Sequence, residues 1–244
     1  MRVHGLFVVE GQLAVERLLS SRFCVKALLL TSSARDRLRT VLTSVEDVVN
    51  IYLATTRLIR TLTGFRFHRG CLGLGERMAP VSTAELLIRD KGRPVVALDG
   101  VSDPDNVGSI FRSAAAFGAT GVILSPHCAD PLYRKSIRTS MGMTLQLPYF
   151  ATAEWLGILA QYRKSGVQVL AVTPDTSAID LETFVQTGIA SPRVLLFGSE
   201  GAGLSEGALA QCDDRVRIPI EESVDSINVV TAAAIVLQRF AACS

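Results

Sequence analysis

The sequence predicts an α/β protein in two parts, a small layered unit followed by a larger unit built on a mostly parallel sheet. Two observations carry this. Short apolar runs alternate with amphipathic stretches along the whole chain, and the balance of charge changes sign part-way. Strands that alternate with helices bury both faces of a parallel sheet. A length of 244 residues permits one large domain or two small ones, at roughly 100–200 residues per domain.

Residues 6–10 (Leu-Phe-Val-Val-Glu) form the first strand-like run, ending at Gly11. Leu13, Val15, Leu18 and Leu19 then follow helical spacing. Val25–Leu30 reads as a second strand, 33–46 as a helix, Val48–Leu53 as a third strand, Thr56–Leu62 as a short helix and Cys71–Leu74 as a last strand. Pro80, Ser82, Thr83 and the charged run Arg89–Arg93 mark a linker, with one short helix near 84–88. The expected division is therefore 1–80, a linker 81–93, and 94–244. In the last part, apolar runs recur at 95–98, 121–124, 168–172, 194–197 and 216–220, with helical patterns at 106–117, 153–164, 205–211 and 227–241.

Composition narrows the function. Apolar residues make up 48% of the chain and charged residues 20%, enough for a packed core and against disorder. No apolar run approaches the roughly 18–20 residues that cross a bilayer. Glu10 and Gln12 interrupt any signal-peptide pattern, so a cytoplasmic protein is expected, with no membrane partner. Five cysteines are scattered without a C-x-x-C spacing, which argues against a zinc site or disulfide framework and for buried thiols acting as small apolar residues. No metal is expected. Residues 1–93 carry a balance of +7 and residues 94–244 a balance of −5. A basic first part suits a polyanionic partner. Within it, Arg57, Arg60, Arg66, His68 and Arg69 cluster with Phe65 and Phe67 interleaved, a combination suited to RNA through phosphate contacts and base stacking.

Three later segments hold the residue types that carry chemistry. The first runs from Leu98 to Arg112, where a strand leads through a polar loop into a helix; Asp105 or Asn106 is the expected cap, and Gly108 permits close approach. Arg112 lies six residues after Asn106, about one and two-thirds helical turns, so both can approach one ligand from a loop–helix junction. The second segment is Val194–Ser205: four apolar residues run into a loop with three glycines and Glu200, able to wrap a nucleoside through backbone groups. It is neither a dinucleotide-binding G-x-G-x-x-G nor a phosphate loop with Gly-Lys-Ser/Thr, which speaks against a dehydrogenase or an NTPase. The third is Val216–Ile235, a short strand, an acidic loop and an alanine-rich helix opening at Ser226 or Asn228.

In this order the segments resemble the SpoU (TrmH-like) branch of the SPOUT RNA methyltransferases. Asp103–Arg112 matches D-P-x-N-x-G-x-x-x-R, Gly198–Leu204 matches G-x-E-x-x-G-L, and Ile218–Asn228 matches an Ile-Pro pair followed by S-L-N. Residues 6–75 resemble the family's small RNA-binding domain, of the ribosomal-protein L30e-like type. The resemblance implies a C-terminal α/β SPOUT domain with a deep trefoil knot, a homodimer through that domain, S-adenosylmethionine as methyl donor, and a ribose 2′-hydroxyl in rRNA or tRNA as acceptor. It places Asn106, Arg112, Glu200, Ser226 and Asn228 in the catalytic site. Thr173, Leu196, Gly198, Gly203, Ile218 and Ile227 are placed around the donor. The chain departs from the family at Glu222, where glycine is usual, at Ile227 for leucine, and at Val230 for serine. The alternative is a catalytically weak or inactive RNA-binding assembly factor of the same fold.

Overall fold

The computed structural model describes residues 5–63, 70–79, 81–82, 86, 93–187 and 193–241. The chain forms two compact units, one of Met1–Ala79 with Asp130–Gln146 and one of Pro80–Ala129 with Leu147–Ser244.

The first unit is a four-stranded sheet in the order β1-β4-β2-β3. Its strands are β1 (Leu6–Glu10), β2 (Cys24–Leu30), β3 (Asn50–Leu53) and β4 (Cys71–Glu76). β4 runs antiparallel to β1 and β2, and β3 parallel to β2. α1 (Gln12–Leu19) buries Ala14, Val15 and Leu18, three of its apolar positions at helical spacing. α2 (Ser32–Leu42) starts at Thr31, whose hydroxyl accepts the Ala34 N–H. It ends earlier than the pattern at 33–46 suggests, because residues 43–48 turn. α3 (Thr56–Thr63) rests on the buried Ile59, packed with Leu72.

The segment Asp130–Gln146, which the sequence pattern assigned with the second part, folds instead into the first unit. Arg77 and Asp130 form a fork–fork ion pair at 2.5 Å, and Arg134 lies 3.1 Å from Glu10. Within this segment α5 (Arg134–Thr139) and a 3-10 turn (Met143–Leu145) flank Ser140. The buried Ser140 hydroxyl accepts the Gly142 and Thr144 N–H groups. At Gly142 the backbone has φ 89°, and a Cβ there would sit 3.2 Å from the Ala14 Cα. Local patterning misses this segment because its partners lie 53 to 129 residues away in sequence.

The second unit is a seven-stranded sheet, parallel throughout, in the order β7-β6-β5-β10-β8-β11-β9. The strands are β5 (Val95–Asp99), β6 (Gly121–Leu124), β7 (Tyr149–Ala151), β8 (Gln168–Val172), β9 (Ile179–Asp180), β10 (Arg193–Gly198) and β11 (Asp214–Arg217). Its helices are α4 (Pro104–Ala116), α6 (Trp155–Lys164), α7 (Leu181–Gln186), α8 (Glu206–Leu209) and α9 (Val229–Ala241). Both faces are covered. Val96, Leu98, Leu195 and Phe197 face a core shared with Phe111 and Phe240, whereas Val95, Ala97, Val194 and Leu196 face a second core with Trp155 and Leu159. This two-residue alternation explains why the central strands read as continuous apolar runs. Leu86, within the expected linker, is fully buried in that second core, so at least this residue is structural.

Candidate functional site

The carboxyl ends of neighbouring parallel strands are where such sheets bind ligands. Here β10, β8 and β11 are consecutive in the sheet, and the chain leaving their ends lines a cleft of about 510 Å³. Val172, Thr173 and Pro174 come from the end of β8. Phe197 through Gly201, with Gly203 and Leu204, come from the end of β10. Ile218 and Ile220 follow β11, and Asp225 to Val229 open α9.

Gly198 is essential to the shape of the second motif. A Cβ there would lie 2.2 Å from the Gly203 carbonyl carbon, so only glycine lets the loop fold back on the strand end. Ser199 and Gly203 exchange reciprocal N–H···O=C bonds at 3.0 Å, and Gly201 and Gly203 take φ of 89° and 69°. Ser205 then caps α8, its hydroxyl accepting the Ala208 N–H at 3.3 Å.

The third motif meets the second through Asn228. Its Nδ2 donates to Glu200 Oε1 at 2.5 Å, while its Oδ1 accepts the Val230 N–H at 2.8 Å and so begins α9. One amide thus joins the exposed carboxylate of the glycine loop to a helix start, across 28 residues of sequence. Helix α9 opens at Val229 rather than 227, because Asn228 is this cap.

Of the residues singled out from sequence, the cleft brings together Thr173, Gly198, Glu200, Gly203, Ser226, Ile218, Ile227 and Asn228. Leu196 does not line it: it lies inside β10, fully buried and paired with Ala97 and Ala171. Asn106 and Arg112 are also absent from its walls. Both stand on α4, Asn106 half-buried in the first turn and Arg112 exposed. The cap of that helix is Asp103, whose Oδ1 accepts the Asp105 N–H at 2.9 Å, with Pro104 at the first helical position; neither Asp105 nor Asn106 caps it. Gly108 is buried within α4. Glu222 is exposed on the loop before α9 and does not line the cleft. Among the lining residues that sequence reading did not name as site residues are Val172, Pro174 and Asp225, each adjacent to one it did name; their position at a strand end or beside Ser226 was the available signal.

In the first unit, Arg57 and Arg60 are exposed on α3, while Arg66, His68 and Arg69, with Phe65 and Phe67, lie outside the described residues. Among the described residues, no helix is long and apolar enough to cross a membrane, and no group of three or more His, Cys, Asp or Glu is placed to hold a metal ion. Cys71 is buried, Cys128 and Cys212 are half-buried and Cys24 is exposed, so the expectation of buried thiols fails at Cys24. Burial pushes the Cys71 and Cys212 thiols up to about 11.

Residues 93–238, which hold the whole cleft and α4, match the SpoU rRNA Methylase family. The chain belongs to this family. The SpoU-family chain is 39% identical over 231 residues to an uncharacterised tRNA/rRNA methyltransferase of Mycobacterium tuberculosis, covering 95% of this chain and 79% of the relative. Its fold is similar to that of the SpoU methyltransferase AviRb from Streptomyces viridochromogenes in complex with AdoMet, with a TM-score of 0.81, 27% identity, and 99% of this chain and 91% of the other covered. It is similar also to an AdoMet-bound rRNA methyltransferase from Sinorhizobium meliloti, with a TM-score of 0.80, 27% identity, and 98% and 88% of the two chains covered.

Proposed function

We propose that this SpoU-family protein is an S-adenosylmethionine-dependent RNA methyltransferase that modifies a ribose 2′-hydroxyl of rRNA or tRNA. The observation that carries the reading is the cleft at the ends of β8, β10 and β11, where Glu200, Ser226 and Asn228 converge on the glycine loop.

The residues present fit the donor. A volume of about 510 Å³ lies in the range of roughly 300–1,000 Å³ typical of small-molecule sites. Val172, Phe197, Leu204, Ile218 and Val229 offer apolar walls for a purine, and Glu200 and Asp225 suit a cationic ligand. Thr173, Gly198, Gly203, Ile218 and Ile227 would hold it, largely through backbone. When bound, the donor supplies an electrophilic methyl on a sulfonium, which needs alignment more than acid–base chemistry.

A free ribose hydroxyl is a poor nucleophile, so the chain must ease loss of its proton. Arginine is a poor base at its usual pKa and a good partner for phosphate and developing oxyanion. We therefore assign Arg112 to hold the acceptor's phosphate or oxyanion, with Asn106 orienting it. Both stand outside the cleft walls, which supports a homodimer whose partner subunit completes the acceptor side. Arg57 and Arg60, with the basic stretch that follows, would hold the RNA backbone. A deep trefoil knot is part of the same reading. It is supported by the chain order: β10 lies between β5 and β8, and α9 returns past β10 to pack on α4.

Purified protein should transfer labelled methyl groups from S-adenosylmethionine to RNA and leave alkali-resistant 2′-O-methyl linkages. Arg112→Ala should abolish transfer and leave donor affinity within about twofold, since Arg112 does not line the cleft. Donor and RNA binding without methylation of any rRNA or tRNA would overturn the assignment in favour of an inactive RNA-binding assembly factor.

A further inference from the structure

Asp99, the last residue of β5, is a carboxylate only 9% exposed. Its Oδ2 accepts the Ser205 N–H at 2.9 Å and the Ser205 hydroxyl at 2.7 Å. The two residues are 106 apart in sequence, and neither lines the cleft. Ser205 is nevertheless the foot of the glycine loop, directly after Gly203 and Leu204, which do line it. The other foot, Gly198, is in register with Asp99 in the β10–β5 ladder. One residue of β5 therefore stands level with one end of the loop and is bonded to the other.

Between these feet the loop has little burial to hold it. Glu200 to Gly203 are exposed, the reciprocal bonds between Ser199 and Gly203 close the loop on itself, and the Asn228–Glu200 bond ties its tip to the start of α9 and not to the sheet. Capping α8 needs only the Ser205 hydroxyl, which already accepts the Ala208 N–H. A buried carboxylate is costly unless its hydrogen bonds offset desolvation. Bonds to an ionised acceptor are shorter and stronger than neutral ones. The acceptor oxygen of Asp99 is thus placed where it stiffens the seat of the loop that faces the donor.

We propose that Asp99 is a positioning residue for the methyl donor, acting through Ser205 to hold the Gly198–Leu204 loop at the height the cleft requires. The proposal rests on the reading that this cleft takes S-adenosylmethionine. Loss of two hydrogen bonds to a charged acceptor predicts that Asp99→Ala raises the donor Kd by at least about tenfold. Asp99→Asn keeps an acceptor oxygen and should restore affinity to within about threefold of wild type. Ser205→Ala removes the hydroxyl bond to Asp99 together with the cap of α8, keeps the Ser205 N–H bond, and should fall between the two in donor affinity.

The experiment is isothermal titration of the full chain and each variant with S-adenosylmethionine, alongside thermal unfolding and RNA binding. The expected result is weakened donor binding by folded Asp99→Ala, rescue by Asp99→Asn, and unchanged RNA affinity. If the variants lower the melting temperature but bind donor like wild type, Asp99 is only a fold stabiliser and the proposal is overturned while the functional reading stands. If Asp99→Ala does not fold, Ser205→Ala decides, unchanged donor affinity being the overturning result. Failure of the wild-type protein to bind donor would overturn both.

Discussion

Replacing Gly198 with alanine would put a methyl carbon 2.2 Å from the Gly203 carbonyl carbon and 2.4 Å from the Gly203 oxygen and the Leu204 nitrogen. Ordinary contact begins at 3.4 Å, so the shortest of these distances falls about 1.2 Å short. The strand cannot yield: β10 is laddered to β5 and β8, and Arg193 to Phe197 are all buried. The exposed loop must yield instead, moving by about 1 Å at the wall of the cleft. Misplacement of that size costs on the order of 10²-fold in a positioned reaction. Gly198→Ala is therefore expected to lower methyl transfer about a hundredfold and to weaken donor binding at least tenfold. Overpacking typically costs about 1–3 kcal/mol, and a domain of this size loses roughly 2–4 °C per kcal/mol, so the melting temperature should fall by about 2–12 °C with the fold retained. Labelled-methyl incorporation, donor titration and circular dichroism measure the three quantities. A variant that binds donor and turns over within twofold of wild type would refute the reasoning, because it would show that the loop's closeness to Gly198 does not shape the site.

Asn228→Ala removes the cap of α9 and the bond to Glu200; the lost cap should cost about 1 kcal/mol and roughly 2–4 °C in melting temperature. Asn228→Asp keeps the cap acceptor but sets a second carboxylate against Glu200, so it should retain more stability than Asn228→Ala while still losing methyl transfer; equal melting temperatures would contradict the capping role. The cysteines give a chemical prediction. At pH 8, iodoacetamide should modify exposed Cys24 well before buried Cys71, as read by peptide mass spectrometry. Because burial raises the Cys71 and Cys212 thiols from 9.0 to about 11, their contribution to stability is fully present below about pH 9 and is lost as pH rises towards 11. Stability that keeps rising from pH 9 to 11 in denaturant titrations would argue against that burial.

Much of the second unit was legible because its strands are buried on both faces. Val95–Leu98 and Val194–Phe197 read as uninterrupted apolar runs for that reason. Strands β7 and β9 were not legible, since three and two residues carry no period. The helix caps were half legible: Asn228 opens the last helix as one of the two residues expected there, whereas the first is capped by Asp103 and not by Asp105 or Asn106. Spacing alone cannot decide among adjacent polar residues, because the choice depends on which backbone turns first.

The sequence by itself determined the α/β alternation, the glycine loop at 198–204 and the residues Glu200, Ser226 and Asn228, because each is set by local composition and order. Only the tertiary structure decided that Asn228 reaches Glu200, that Asp99 grips Ser205, that Leu196 is sealed inside the sheet, and that Asp130–Gln146 folds with the first unit. These depend on which strands become neighbours. β10 lies between β5 and β8 although it follows both in the chain, and no local period encodes that order. The Asn228–Glu200 and Asp99–Ser205 hydrogen bonds, across 28 and 106 positions of sequence, exist only once that order is set.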